Sequence, residues 1–209
     1  MSARDEILGR IRSALGPGAV VPDVPRNYRV AGSGPRTGDP EVVARFCERA
    51  AEYRATVRRV DGSGVEDAVL AACAQRSATR LAIPSGVPDV RGLELVRDDP
   101  PLSPQDLDGL DGVLTGSALA IAETGTVVLD GGAASGRRAI SLVPDFHICL
   151  VAAEDIHAGV PEAVAALSAA AAEGRPLTLI SGPSATSDIE LERVEGVHGP
   201  RDLVILVVE

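Results

Sequence analysis

The feature that most constrains the fold is an alternation of short, strand-length runs with segments of helical period. The runs are Ala55–Val60, Leu81–Pro84, Leu93–Val96, Gly112–Gly116, His147–Ala152, Leu177–Ser181 and Leu203–Val208. Several are apolar almost throughout, with no polar residue at every second position. A strand of that kind must be covered on both faces, as in a sheet built from crossover units. Helical period appears between them, in Val42, Val43, Phe46, Cys47, Ala50 and Tyr53, in Val65–Gln75, in the Ser103–Leu110 turn and in Ala-rich Asp155–Ala172. The pattern predicts an α/β fold, a mixed but mainly parallel sheet with helices on both faces. Aromatic residues make up 2% of the chain and tryptophan is absent, so its core must be built from Ala, Val, Leu and Ile. At 209 residues, one such domain accounts for the main body.

Gly116–His147 stands out within this frame. Ala118–Ala122 and Val127–Leu129 are apolar runs around the break Glu123-Thr124-Gly125, which predicts a hairpin. The hairpin is what makes the sheet mixed. A plain turn would be served by Asn-Gly, whereas this one carries a carboxylate and a hydroxyl. Glu123 is therefore either a proton-handling group, with Thr124 and Gly125 at a ligand, or a solvated turn residue beside a locally bonded threonine. A Gly-rich loop follows, then Arg137-Arg138, then Pro144 and His147.

A second polar cluster is Gly182–Pro200, which leaves a buried run where α/β proteins place their binding crevice. Ser184 and Thr186 offer hydroxyls, Asp188 a carboxylate, and His198 an imidazole between Gly and Gly-Pro. The alternative is that Ser184 or Thr186 caps a helix near Asp188 and His198 sits in a structural turn. Loops at one edge of the strands converge, so Glu123, Arg138, Ser184, Thr186, Asp188 and His198 are expected to line one pocket, with His147 at or near it. Arg138 and the amides around Ser184 would bind an anion, a small carboxylate or phosphate. Glu123, Asp188 and His198 would move protons.

Residues 1–38 read as a separate arm. Ser2–Leu15 is an amphipathic helix with the stripe Ile7, Leu8, Ile11 and Leu15, ended by Gly16-Pro17. A linker with Pro17, Pro22, Pro25 and Pro35 joins it to a domain at 39–209 that opens on Asp39-Pro40-Glu41. The helix is too short to fold alone and should dock on the body or a partner.

The net charge of −10 argues against nucleic acid and anionic membrane surfaces. No run approaches the length of a membrane span and the N-terminus lacks a signal-peptide core, so an integral membrane segment is excluded and a cytoplasmic location expected. Cys47, Cys73 and Cys149 are dispersed, with no C-x-x-C, and read as buried small hydrophobes without an iron–sulfur or zinc site. No phosphate-binding loop, dinucleotide fingerprint or nucleophile elbow is present. No cofactor or resident metal is expected.

The residues Ala120-Ile121-Ala122-Glu123-Thr124-Gly125-Thr126, Arg138, Ser141-Leu142, Pro144, His147-Ile148, Gly182-Pro183-Ser184, Thr186, Asp188-Ile189-Glu190 and Gly196-Val197-His198-Gly199-Pro200 resemble, in order and spacing, the LUD-domain family and its lactate-utilization protein C branch. The resemblance covers most of residues 40–209. It implies a fold like the NagB/ribose-5-phosphate isomerase/CoA-transferase superfamily. It also implies a part in oxidising L-lactate to pyruvate beside two partner proteins that carry the iron–sulfur clusters. Three readings stay open. The chain is a non-redox component of that system, a stand-alone CoA-transferase-like or sugar-phosphate-isomerase-like enzyme using Glu123, or an interaction module docking through its arm. Glu123-Thr124-Gly125 distantly looks like the Glu-Asn-Gly setting of the CoA-transferase nucleophile.

Overall fold

The computed structural model describes residues 2–18, 20, 22–30, 34–183 and 199–209. Its elements run α1 (Ala3–Leu15), α2 (Pro40–Glu52), β1 (Thr56–Val60), α3 (Val65–Arg76), β2 (Arg80–Ile83), β3 (Glu94–Arg97), α4 (Pro104–Asp108), β4 (Gly112–Gly116), β5 (Leu119–Ile121), β6 (Thr126–Leu129), α5 (Arg138–Leu142), β7 (Phe146–Ala152), β8 (Ile156–His157), α6 (Val160–Ala166), α7 (Ser168–Ala172), β9 (Thr178–Ile180) and β10 (Asp202–Val208).

Six strands form a parallel sheet in the order β1-β10-β7-β4-β2-β3. Its two faces carry different covers, as the unbroken apolar runs require. On one face Val69, Ala72 and Cys73 of α3 pack on Leu81, Leu114, Ile148 and Leu206. On the other, Val42, Val43, Phe46 and Ala50 of α2 pack on Cys149, Val151, Leu203 and Ile205. Those four α2 residues fall on one stripe, and Phe46 is completely enclosed. Helices α4 and α5 cover the rest of that face through Leu107 and Ile140 over Ala82 and Val113. The expected α/β architecture holds.

The hairpin forms, with Leu119 opposite Val128 and Ile121 opposite Thr126, but it does not join the main sheet. It belongs to a second sheet, ordered β8-β5-β6-β9. Ala120, Ala122, Val127 and Leu129 face the α2 core, while Leu119, Ile121 and Val128 face Ala163 of α6 and Leu167. Both faces are covered, so a period-two strand reads as continuously apolar. The Ala-rich segment also departs from expectation. It is one helical turn (Ala153–Asp155), strand β8, then two helices, and His157 lies in β8 opposite Ile121 instead of in a helix. Two backbone bonds extend this pairing beyond Ile121, Ala122 N–H to His157 O and Glu123 N–H to Ala158 O.

The arm folds as its pattern predicts up to Gly16. Ser2 and Asp5 form a reciprocal cap on α1. No residue of α1 is buried, and Ile7, Ile11 and Leu15 are exposed. No helix among the described residues is long and apolar enough to cross a membrane.

Candidate functional site

The hairpin tip is a junction. Gly125 has φ +61°, and a Cβ there would lie 2.5 Å from the Ala50 nitrogen of α2. Only glycine lets the turn approach that helix backbone so closely. Next to it, Thr124 and Thr126 hydroxyls lie 2.7 Å apart and Thr126 and Ser181 hydroxyls 2.6 Å apart. Glu123 takes a two-pronged contact from the arm, Arg29 Nη1 and Nη2 each donating at 2.9 Å to Oε1 and Oε2. The Val160 N–H points at Oε2 from 3.4 Å. The Arg29 bond holds the Glu123 carboxyl below its usual range, with partial burial opposing it. Glu123 is therefore an ionised, paired carboxylate in a shallow pocket with Arg45, Gly159 and Glu162.

A second site lies where the chain reverses its winding. From β2 the chain goes outward to β3, and from β4 it goes the other way to β7, so β2 and β4 flank the switch point of the parallel sheet. Open α/β sheets bind ligands in the crevice outside the strand ends at such a point. Beside that point, outside the ends of β2 and β3, lies a crevice of about 320 Å³ lined by Ser85, Asp98, Asp99, Gly132, Ala133 and Arg137 among others. The loop that roofs it is the Gly-rich stretch after β6. Gly86 donates its N–H to Ala133 O at 2.8 Å and Gly116 to Ala134 O at 2.9 Å, tying the loop to the ends of β2 and β4. A Cβ on Gly86 would sit 2.7 Å from the Ala133 carbonyl carbon.

Two carboxylates shape this loop. Asp130 Oδ1 accepts from Gly132 N–H at 2.9 Å and Ser135 Oγ at 3.1 Å, and its Oδ2 pairs with Arg175. Burial raises the Asp130 pKa, but these donors outweigh it and hold the group below the ordinary carboxylate value. Asp98, with a side chain 5% exposed, accepts from Arg137 Nε at 2.6 Å, Arg137 Nη2 at 2.8 Å and Leu102 N–H at 2.8 Å. Arg137 also donates to Leu102 O. The guanidinium is thus fixed at the crevice wall with its remaining edge toward solvent.

His147 is enclosed in β7, its Nε2 2.8 Å from Thr115 Oγ1, while Nδ1 has no partner. Thr115 also points at Cys149 Sγ, 3.7 Å away. Burial drives the imidazole pKa down to about 4, so this is a neutral core histidine. Arg138 starts α5 with an exposed side chain beside Arg137. Ser184, Thr186, Asp188 and His198 lie outside the described residues. Of the remaining expected site residues, Glu123, Arg138 and His147 occupy three different settings, and no described hydrogen bond joins them. Among the described residues no cluster of three His, Cys, Asp or Glu side chains could hold a metal.

The crevice residues Ser85, Asp98 and Asp99 escape the sequence reading. The signal available is Gly131-Gly132 and Gly136-Arg137 directly after a strand, a loop built for close backbone approach.

The model of the LUD domain matches residues 105–208. Lactate utilization protein C of Deinococcus radiodurans is 47% identical over 195 residues, covering 87% of this chain and 91% of that protein. Lactate utilization protein C of Shouchella clausii is 35% identical over 99 residues, 46% of this chain and 43% of that one. A crystal structure of a DUF162 family protein from Deinococcus radiodurans superposes with a TM-score of 0.71 at 42% identity, covering 81% of this chain and 97% of that one.

Proposed function

The chain belongs to the LUD-domain family, and from that premise we propose that it serves lactate utilization as a non-redox component of a multi-protein system oxidising L-lactate to pyruvate. Iron–sulfur partner proteins carry the electrons in this reading. The observation that supports it is the 47% identity along nearly the whole length of a protein named for lactate utilization. In this reading the crevice beside the switch point takes the hydroxyl end of a small hydroxy acid. Its volume is of small-molecule size, the Ser85 hydroxyl and Asp99 carboxylate can bond a hydroxyl, and the glycine loop lets a ligand approach backbone.

The test is genetic and biochemical together. A strain lacking this gene and any other lactate dehydrogenase is expected to grow on pyruvate but not on L-lactate. Affinity purification of the tagged protein from lactate-grown cells should bring down proteins containing iron and acid-labile sulfide. Normal growth on lactate would sink the proposal. Turnover by the purified chain alone, with no partner, would replace it with the stand-alone enzyme.

A further inference from the structure

The crevice outside β2 and β3 holds two adjacent carboxylates in unequal states. Asp98 is spent on its own wall. Its Oδ1 accepts from Arg137 Nη2 and the Leu102 N–H, and its Oδ2 from Arg137 Nε. Its charge is matched and its side chain is nearly enclosed. Asp99 is the next residue, exposed and at the crevice. Among the described residues no hydrogen bond takes up its carboxylate. Ser85 lines the same space, two residues beyond the end of β2. Its carbonyl accepts from Arg97 Nη1 at 3.5 Å, and no described bond engages its hydroxyl.

The backbone sets the two side by side. Ile83 pairs with Arg97, so Ser85 and Asp99 each stand two residues past that pair. The Asp98 N–H still donates to Ile83 O at 3.0 Å, which carries the pairing toward Asp99. The glycine loop closes on both neighbours of Ser85. A Cβ on Gly136, at φ +69°, would lie 2.9 Å from Pro84 Cβ, and one on Gly86 2.7 Å from the Ala133 carbonyl carbon. Ser85 is thus held in place before any ligand arrives.

The chemistry of this end is one acceptor and one hydroxyl. An ionised carboxylate has lone pairs and no proton, so it accepts only. A serine hydroxyl donates one proton and also accepts. An alcohol oxygen matches that pair, donating to Asp99 while accepting from Ser85. A keto oxygen does not match. It has no proton, so only Ser85 can bond it, and its lone pairs face those of Asp99.

We propose that Asp99 is the specificity-determining residue of this crevice and selects a 2-hydroxy acid over the corresponding 2-keto acid. The inference rests on the reading that this chain serves L-lactate oxidation through this crevice. It gives the crevice a direction. Oxidation of L-lactate removes two electrons, to the iron–sulfur partners in that reading, and two protons, from the hydroxyl and from C2, to water. The proton that bonded Asp99 is then gone, and pyruvate leaves without any movement of the protein.

Backbone-amide NMR titration of the full 209-residue chain with L-lactate and with pyruvate reads the two dissociation constants. Both acids carry one negative charge, so the effect of the Asp99 charge itself cancels in their ratio. The wild type should bind L-lactate on the order of 10-fold tighter, a modest preference because Asp99 and Ser85 are open to water. Asp99→Asn places an N–H donor beside an acceptor and can serve either oxygen. Its preference should vanish, mainly through tighter binding of pyruvate. Ser85→Ala should weaken both acids and leave L-lactate preferred. A wild type without preference, or one that binds no L-lactate, would overturn the proposal. So would an Asp99→Asn chain that shifts both acids equally, since Asp99 would then act as a bare charge. The growth phenotype is independent of this readout. A strain that needs this gene on L-lactate, with a chain that shows no preference, refutes the role of Asp99 and spares the broader reading.

Discussion

Replacing Arg137 by methionine isolates the physics of the crevice wall. The substitution keeps an unbranched apolar stem and removes the guanidinium. Three hydrogen bonds go with it, two to Asp98 and one to Leu102 O. What remains is a carboxylate only 5% exposed whose one described donor is the Leu102 amide. Removing one partner from a buried pair typically costs about 3–5 kcal/mol. Arg137 itself is 36% exposed, so water softens part of that loss, and about 3 kcal/mol is the working figure. For a chain of this size each kcal/mol moves the melting temperature by roughly 2–4 °C. A drop of about 6–12 °C by calorimetry is therefore expected. Arg201→Met is the control, because Arg201 and Asp145 are 62% and 59% exposed. An exposed pair contributes below about 1 kcal/mol, or no more than roughly 4 °C. The double variant Asp98→Asn with Arg137→Met should recover part of the loss, since the stranded group is then neutral. Equal shifts for Arg137→Met and Arg201→Met would refute the reasoning.

Three further outcomes follow from the same structure. The His147 imidazole titrates near 4 when folded and near 6.5 when unfolded, so the unfolded chain binds more protons in that window and stability falls as pH drops through it. Urea unfolding at pH 7 and pH 5 should show the wild type losing about 2 kcal/mol more than His147→Asn. Gly125→Ala combines a left-handed backbone with a contact 2.5 Å from the α2 backbone, and is expected to cost about 2–5 kcal/mol. Gly174→Ala has a similar φ and open space, so it should cost only about 1–2 kcal/mol in the same melts. Burial pushes Cys73 and Cys149 up to about 11 and about 12. A thiol reagent at pH 8 should therefore find no more than Cys47 in the native protein and all three cysteines in guanidinium.

The fold was legible where burial on both faces left its mark on composition. Runs such as Leu203–Val208 have no solvent side, and this alone demands the covered parallel sheet. The hairpin was legible for the same reason. Its membership was not, because its partner β8 is two residues long and sits in an Ala-rich stretch whose propensity favours helix. Pairing with Ala120 and Ile121 overrides that preference. At the site, Glu123 was visible as a departure from ordinary turn chemistry, yet its partner Arg29 lies 94 positions away in a stretch that reads as linker. The crevice depends on which strands are neighbours. Ser85, Asp98 and Arg137 converge because β2 and β3 are adjacent and the loop after β6 is tied to Gly86, and strand order leaves no periodic trace in the chain.

The two sites are ends of one excursion. The chain leaves the main sheet at Gly116, builds β5, the Glu123 tip and β6, and returns to Gly116 through the Ala134 carbonyl. Its far end is pinned by Gly125 against α2 and by Arg29 on Glu123. Its near end is pinned by Asp130 with Ser135 and Arg175, and by Asp98 with Arg137. Between these pins run two paired strands with buried side chains on both faces. This explains why a polar Glu-Thr-Gly sits at a turn so far from the crevice. The tip holds the arm at one end of a rigid strut, and the other end is the glycine loop that shapes the ligand-sized space. Arm and crevice thereby share a single piece of chain, so the position of one fixes the frame of the other without any contact between them.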